Sequence, residues 1–347
     1  MRELEIRSEQ RILLIKMSSL GDIMTALPVL AALRKARPQA YIAWAVQTEF
    51  QSVLPGAPYL DEIIPVHRAR IRSPKYWLAL GKCLREKRFD CVLDLQMIAK
   101  SALVAILSGA TQRYGYWEAR EGAGLVSRPL TGENQYGHIT ARLLDVLQEL
   151  GIATEGAEYP LPDIQTERRE VRQKLADIGM NKPFAVVVPG SRGAGKMWPV
   201  SRWQEVIAYL LGYGVAVAVM GSAAEQSMVD AVVRPFAERE VLPLAGKTTL
   251  RQLMAWEAEA CLHISGDTGP LHIANALRTP LIGVYGPTLP ERSGPYLHPL
   301  GLTAVAPQPP NRPLHAKRDD RVDMQNLPVQ EVTALIDRQL RHIPILK

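Results

Sequence analysis

The stretch RILLIKMSSLGDIMTALPVLAAL, Arg11 to Leu33, contains a complete strand-to-helix unit. Arg11 and Lys16 bracket an unbroken apolar run, which reads as a strand buried on both faces. Leu20, Ile23, Leu27, Leu30 and Leu33 then recur at three-to-four spacing and predict a helix. Pro28 lies inside that helix and should kink it or remove one hydrogen bond. A single acid, Asp22, sits at the mouth of the helix beside Ser18, Ser19 and Gly21. A carboxylate at the carboxyl end of a strand can take a proton from an attacking hydroxyl. It can equally serve only as a helix cap.

The same alternation runs outward along the chain. Strand-like runs are expected at Ile12–Ile15, Tyr41–Val46, Glu62–Val66, Cys91–Leu95, Phe184–Val188, Val215–Met220, Cys261–Ser265 and Leu281–Tyr285, with helical patterns between most of them. Such order is the signature of parallel sheets covered by helices, an α/β architecture. Gly151–Glu167 is rich in Gly, Pro and acids, has no periodicity, and reads as an interdomain link. The expected organisation is a first domain over 1–160, a second over 161–327, and a C-terminal helix within 328–347 after a loop over Pro307–Asp323. Each domain becomes a doubly wound, Rossmann-like fold that binds ligands outside the carboxyl ends of its strands, so two of them would face each other across one cleft.

Bulk properties exclude several classes. The 347 residues are 47% hydrophobic and 22% charged, as in a globular protein with room for two domains. Apolar runs are too short for a transmembrane helix, and the charged MRELEIRSEQ start lacks a signal-peptide core, so a cytoplasmic location is expected. Cys83, Cys91 and Cys261 form no C-x-x-C pair and read as buried structural thiols. The net charge is +6, and between His67 and Arg88 eight basic residues (Arg68, Arg70, Arg72, Lys75, Lys82, Arg85, Lys87, Arg88) stand against one acid, Glu86. That cluster suits an anionic partner, or is a solvated helix face.

Three turns in the second half carry the chemistry of an anion site. In HISGDTGPLHIANAL (His263–Leu277) a strand runs into a Gly-Asp-Thr-Gly turn that opens a helix. Asp267 or Thr268 can cap it, Pro270 suits its first turn, and Gly266 and Gly269 let backbone approach a ligand. The free N–H groups and the helix dipole favour a diphosphate, with His272 near the same opening. VVVPGSRGAGKMWP (Val186–Pro199) is a flexible, cationic loop in which Lys196 can neutralise a leaving phosphate. It is not a Walker A loop, because Met197 follows Gly-Lys, and no G-x-G-x-x-G marks a dinucleotide site. VMGSAAEQ (Val219–Gln226) places Glu225 where an acid can take ribose hydroxyls or simply favour a helix N-terminus.

KMSSLGDIMTALPVL, PGSRGAGKMWP and SGDTGPLHIANAL…TPLIGVYGPT resemble the heptosyltransferases that build the lipopolysaccharide inner core, glycosyltransferase family 9. The likeness covers nearly the whole chain in order. The Arg-rich segment after EIIPV, AKSALV with Lys100 and Ser101, and WEAREG with Trp117, Arg120 and Glu121 resemble the heptosyltransferase I branch.

The resemblance implies a GT-B fold of two Rossmann-like domains. It also implies inverting transfer of heptose from ADP-L-glycero-D-manno-heptose to a Kdo residue of Kdo-lipid A, at the cytoplasmic face of the inner membrane. On that pattern Asp22 would be the general base. Lys196, Asp267, Thr268, Gly269 and His272 would hold the diphosphate. Ser191, Arg192 and Glu225 would bind the rest of the ADP-sugar, with Gly246 to Leu250 near adenine. Ser19, Gly21, Arg68, Arg70, Arg72, Lys100 and Arg120 would meet the acceptor.

No cofactor is implied, and no cluster of Asp, Glu or His has metal-ligand spacing. Two departures stand out: Pro189-Gly190-Ser191-Arg192 where the heptosyltransferase I branch usually has His-Ala-Thr-Thr, and Met97 where a glycine is common. Heptosyltransferase II, or a relative using another nucleotide sugar, is therefore an alternative. A sugar-nucleotide epimerase or dehydrogenase would be expected to bind NAD(P). The presence of both Asp22 and Lys196 argues against a non-catalytic nucleotide-binding protein, since binding alone would not need the base.

Overall fold

The computed structural model describes residues 6, 9–191, 193–237, 239–312 and 318–342. The chain divides into two compact units, Met1–Pro162 and Asp163–Lys347.

The first unit holds strands β1 Arg11–Ile15, β2 Tyr41–Gln47, β3 Glu62–Val66, β4 Cys91–Asp94, β5 Gln112–Tyr116 and β6 Arg128–Leu130. Its helices are α1 Leu20–Ala36, α2 Pro74–Glu86, α3 Ala99–Leu107 and α4 Ile139–Gln148. All neighbouring strands pair in parallel, in the order β3-β2-β1-β4-β5-β6. Leu13 and Ile15 pack with Leu80, Leu84, Val104 and Ala105, so α2 and α3 cover one face, while α1 packs with α4. Every fully buried Leu, Ile or Val in such a layer contributes about 1.5–3 kcal/mol.

The second unit repeats this plan. Its strands are β7 Phe184–Val188, β8 Ala216–Val219, β9 Val241–Pro243, β10 Leu262–Gly266, β11 Leu281–Tyr285 and β12 Gly301–Val305. Its helices are α5 Gln165–Asp177, α6 Val200–Gly212, α7 Gln226–Val233, α8 Leu250–Glu259, α9 Gly269–Leu277, α10 Pro290–Ser293 and α11 Val329–Leu340. The order β12-β11-β10-β7-β8-β9, again parallel, is the first sheet's order read in reverse. In both sheets the strand order therefore reverses beside the first strand, between β1 and β4 and between β7 and β10. Helix α11 packs on α6, β11 and β12, and the Gln339 side chain donates to the carbonyls of Leu281 and Leu300. The C-terminal helix is thus part of the second unit. Of the loop expected over Pro307–Asp323, residues 313–317 lie outside the described residues.

Helix α1 runs unbroken through Pro28, whose missing N–H removes one hydrogen bond, as expected. Other expectations are corrected. Strands β5, β6, β9 and β12 are additions to the expected set. Three of these are sheet edges, and β6 and β9 contain Pro129 and Pro243, residues that only an edge tolerates. Cys83 is exposed, so only Cys91 fits the expected buried thiol fully, and Cys261 is intermediate. No described helix is long and apolar enough to cross a membrane.

Met97 accounts for the missing glycine. Its φ is +51°, a conformation that costs a side-chain-bearing residue about 1–2 kcal/mol, and its side chain is completely buried. Gly115 makes room for it. A methyl group built there would lie 2.2 Å from the Met97 sulfur and 2.5 Å from the Asp94 carbonyl oxygen. Gly115→Ala should therefore lower stability by about 1–3 kcal/mol through overpacking, read as a fall in the urea midpoint at unchanged slope.

Candidate active site

In the first unit the candidate side chains collect at the carboxyl edge of the sheet. Asp22 is the third residue of α1, and its Oδ2 accepts from the Ser19 amide (3.0 Å) and the Ser19 hydroxyl (2.7 Å). The cap reading of Asp22 is therefore correct, and the cap bonds are made through Oδ2. Its Oδ1 lies 3.7 Å from Nζ of Lys16, and its side chain is 48% exposed.

The turn between β1 and α1 is tied to the end of β4. Lys16 Nζ donates to the Leu95 carbonyl (2.8 Å), and the Met17 amide donates to the Gln96 side chain (2.7 Å). Asp94 accepts from the amides of Gln96 and Met97. Burial pushes its carboxyl above the usual value, against those amides and the nearby Lys16 charge, which pull it down.

The other residues expected to meet an acceptor border the same edge. Gly21 is the second residue of α1, and Lys100 is exposed at the start of α3. Arg120 is exposed, and its amide donates to the Met97 carbonyl (2.9 Å). Arg68, Arg70 and Arg72 are exposed in the turn that follows β3. Lys87 is not part of that free surface: it is paired with Glu62, which also accepts from the Tyr41 hydroxyl.

In the second unit the three turns converge. Lys196 ends a short 3-10 turn after β7 and forms a 2.8 Å ion pair with Asp267 at the end of β10. His272 Nε2 is 3.8 Å from the other oxygen of Asp267, and the Ser293 hydroxyl approaches that oxygen at 3.4 Å. Burial alone would raise the Asp267 pKa. The contact with His272 and the charges of Lys196 and His272 outweigh it and hold the carboxyl well below its usual range.

Neither Asp267 nor Thr268 caps α9 through its side chain, contrary to expectation. Thr268 is the cap residue and makes no side-chain cap bond, and Asp267 is turned toward Lys196. The hydroxyls of Thr268 and Ser191 are buried and without a hydrogen-bond partner among the described residues. Gly193 has a φ of +101°, which glycine adopts without strain. Arg192 lies outside the described residues.

Glu225 also caps: its Oε2 accepts from the Ser222 amide and hydroxyl, each at 2.7 Å. Its other oxygen lies against Gly190, where a methyl group would come within 2.2 Å. Gly246, at φ +66°, donates to the Gly221 carbonyl, and Leu250 begins α8. The turns after β7, β8, β9 and β10 thus share one edge. Among the described residues no group of three or more His, Cys, Asp or Glu could hold a metal ion.

Sequence reasoning missed Lys16, Asp94 and Gln96. It also missed a buried chain in which Glu257 faces His263 Nδ1 (2.9 Å) and His263 Nε2 faces the Ser265 hydroxyl (2.7 Å) beneath the Asp267 turn. The available signal was a polar residue inside or closing an apolar run, as in RILLIK and LHISG.

Residues 77–312 match the model of glycosyltransferase family 9 (heptosyltransferase). The chain is 29% identical over 300 residues to lipopolysaccharide heptosyltransferase 1 of Pseudomonas aeruginosa, covering 82% of this chain and 81% of that one. It is 28% identical over 303 residues to lipopolysaccharide heptosyltransferase 2 of Escherichia coli, covering 83% and 86%. The structure of the E. coli heptosyltransferase WaaC with ADP superposes with a TM-score of 0.75 at 26% identity, covering 95% of this chain and 99% of that one. The two parallel Rossmann-like sheets are those of a GT-B glycosyltransferase, and this chain belongs to glycosyltransferase family 9.

The Asp267 shift has a consequence for stability. A carboxyl whose pKa is depressed on folding stabilises the native state fully above its unfolded value of about 3.9, and that contribution is lost as the pH falls through the folded value. Asp267→Asn should cost about 1–3 kcal/mol at pH 7, between the values of an exposed and a fully buried pair. The gap from the wild type should narrow as urea midpoints are followed from pH 7 down to pH 3. A gap of constant size would mean that the pair contributes no ionic stabilisation.

Proposed function

We propose that this glycosyltransferase transfers heptose from ADP-L-glycero-D-manno-heptose to a Kdo residue of Kdo-lipid A, with inversion, in lipopolysaccharide inner-core synthesis. The observation that carries the donor side is the Lys196–Asp267 pair flanked by the buried, unpartnered hydroxyls of Ser191 and Thr268. Buried hydroxyls without partners are uncommon, and diphosphate oxygens would satisfy both. The first amides of α9, with Gly269 at its start, add donors and a favourable dipole. Lys196 supplies positive charge as ADP departs, with the His272 ring beside it. Glu225, Gly246 and Leu250 border the same edge and suit the ribose and adenine. Arg192 belongs to this proposal by its place in the sequence alone.

The acceptor side rests on Asp22. Its Oδ2 is held by Ser19, and its Oδ1 has lone pairs for a proton. The acceptor hydroxyl oxygen bonds to the anomeric carbon while its proton passes to Asp22. The bond from that carbon to the β-phosphate oxygen breaks, and ADP leaves with the electron pair. The segments AKSALV and WEAREG support the heptosyltransferase I step. The Pro-Gly-Ser-Arg loop favours the runner-up, heptosyltransferase II, whose E. coli member is similar at nearly the same identity.

The deciding experiment offers ADP-heptose with Kdo-lipid A or with the already heptosylated acceptor, and weighs the products. One added heptose on Kdo-lipid A is the expected result. Product only on the heptosylated acceptor would assign the second step instead.

Asp22→Asn should keep ADP affinity, measured by calorimetry, and lose roughly 10²–10⁴ in kcat. A kcat within about threefold of wild type would leave Asp22 as a cap alone.

The acceptor is polyanionic, and we place the enzyme peripherally at the cytoplasmic face of the inner membrane. The exposed Arg68, Arg70 and Arg72 suit both the acceptor and that surface, where each basic residue is worth about 1 kcal/mol. Replacing all three with alanine should raise acceptor KM far more than donor KM. In the wild type, acceptor affinity should fall with salt as the Debye length drops below about 10 Å. Unchanged acceptor kinetics at low salt would reduce this turn to a solvated surface.

A further inference from the structure

Lys16 closes a buried strand, and its ammonium is buried with it. The residue is 2% exposed. Nζ donates to the Leu95 carbonyl at 2.8 Å, lies 3.7 Å from Asp22 Oδ1, and stands 5.7 Å from the centre of the Tyr116 ring. Its own carbonyl accepts from the Trp44 indole at 3.0 Å, which fixes the backbone below the side chain. Among the described residues, the titratable groups around it include Asp22 on α1, Asp94 on β4 and Tyr116 on β5.

A buried ammonium pays a large desolvation penalty, and an apolar side chain of similar volume would fill this space without it. The charge therefore calls for a reason beyond packing. Asp22 supplies one. Ser19 takes up its Oδ2 from the solvent side of the turn, and Lys16 faces its Oδ1 from the sheet. The carboxylate is held from two directions, Ser19 on Oδ2 and Lys16 on Oδ1.

We propose that Lys16 is a positioning residue for Asp22: its buried ammonium orients Oδ1 and keeps the carboxylate ionised until the acceptor hydroxyl delivers its proton there. The inference rests on the reading of Asp22 as the general base. Lys16 touches neither substrate and acts through Asp22 alone.

The test uses the full chain with ADP-heptose and Kdo-lipid A. In Lys16→Met the acid limb of kcat/KM should move up by roughly one pH unit. That is the low end of what an opposite charge within 4–6 Å does, because Asp22 is half exposed. ADP affinity should be unchanged. In the Asp22→Asn background the same substitution should change kcat by less than about twofold, because the group it serves is gone.

An unmoved acid limb, or a loss that multiplies with that of Asp22→Asn, overturns the role of Lys16. Asp22→Asn alone separates this from failure of the underlying reading. Near-wild-type kcat in that variant removes the base itself, whereas a large loss beside an unmoved limb in Lys16→Met removes only Lys16. Should Lys16→Met not fold, carbon-13 titration of Asp22 in the wild type decides, with the resonance assigned by its absence in Asp22→Asn. A midpoint below about 3.9, the value for free aspartate, is expected, and one at or above it overturns the proposal.

Discussion

Both halves of this protein depend on a gap that a parallel sheet cannot close. Where the strand order reverses, between β1 and β4 and between β7 and β10, the chain leaves adjacent strands toward opposite faces. The loops diverge and the backbone there has no ladder partner ahead of it. In each half a lysine from the chain leaving the first strand reaches across. Lys16 spans to the Leu95 carbonyl, and Lys196 spans to the Asp267 carboxylate. The same topological requirement is met twice with the same side-chain type, and each lysine has a carboxylate beside it.

The two lysines differ in what surrounds them, and the difference matches the chemistry proposed for each half. Lys196 is 2.8 Å from Asp267, in a site where His272, Ser191 and Thr268 offer further donors. That is an environment for neutralising a multiply charged group. Lys16 is 3.7 Å from Asp22 and anchored mainly to a neutral carbonyl, so its field reaches the carboxylate without locking it in a tight ion pair. At short range in a shielded site the Coulomb energy is several kcal/mol, whereas at a half-exposed carboxylate solvent screens much of it. A base must stay ionised yet remain free to bind a proton, and the looser geometry allows both.

Capping looked like a competitor to proton transfer at Asp22 and to ribose binding at Glu225, but a carboxylate has two oxygens. Oδ2 of Asp22 and Oε2 of Glu225 each accept an amide and a hydroxyl from a serine three residues earlier. The second oxygen of each is then presented in a fixed direction, toward Lys16 in one case and Gly190 in the other. The cap therefore aims the oxygen proposed to meet substrate at little entropic cost, since the side chain is already ordered by the helix it terminates.

The sequence by itself determined the layered α/β plan, the central strands, and the turns that carry Asp22, Lys196, Glu225 and Asp267. These follow from local information: apolar runs in strands buried on both faces, three-to-four spacing in helices, and small or polar residues at the turns between. It did not reveal β5, β6, β9 and β12. Most of these are edges, and an edge strand is specified by the neighbour it pairs with rather than by its own apolar pattern.

Only the tertiary structure decided which turns meet. That Lys196 faces Asp267, 71 residues away, follows from the pairing of β7 with β10, and no local pattern encodes it. The same holds for Lys16, which reads as the polar end of a strand until the pairing of β1 with β4 and the turn into α1 set its ammonium beside Leu95 and Asp22. Electrostatic fields act through space, and a chain read one residue at a time carries no distance between residues that folding has yet to bring together.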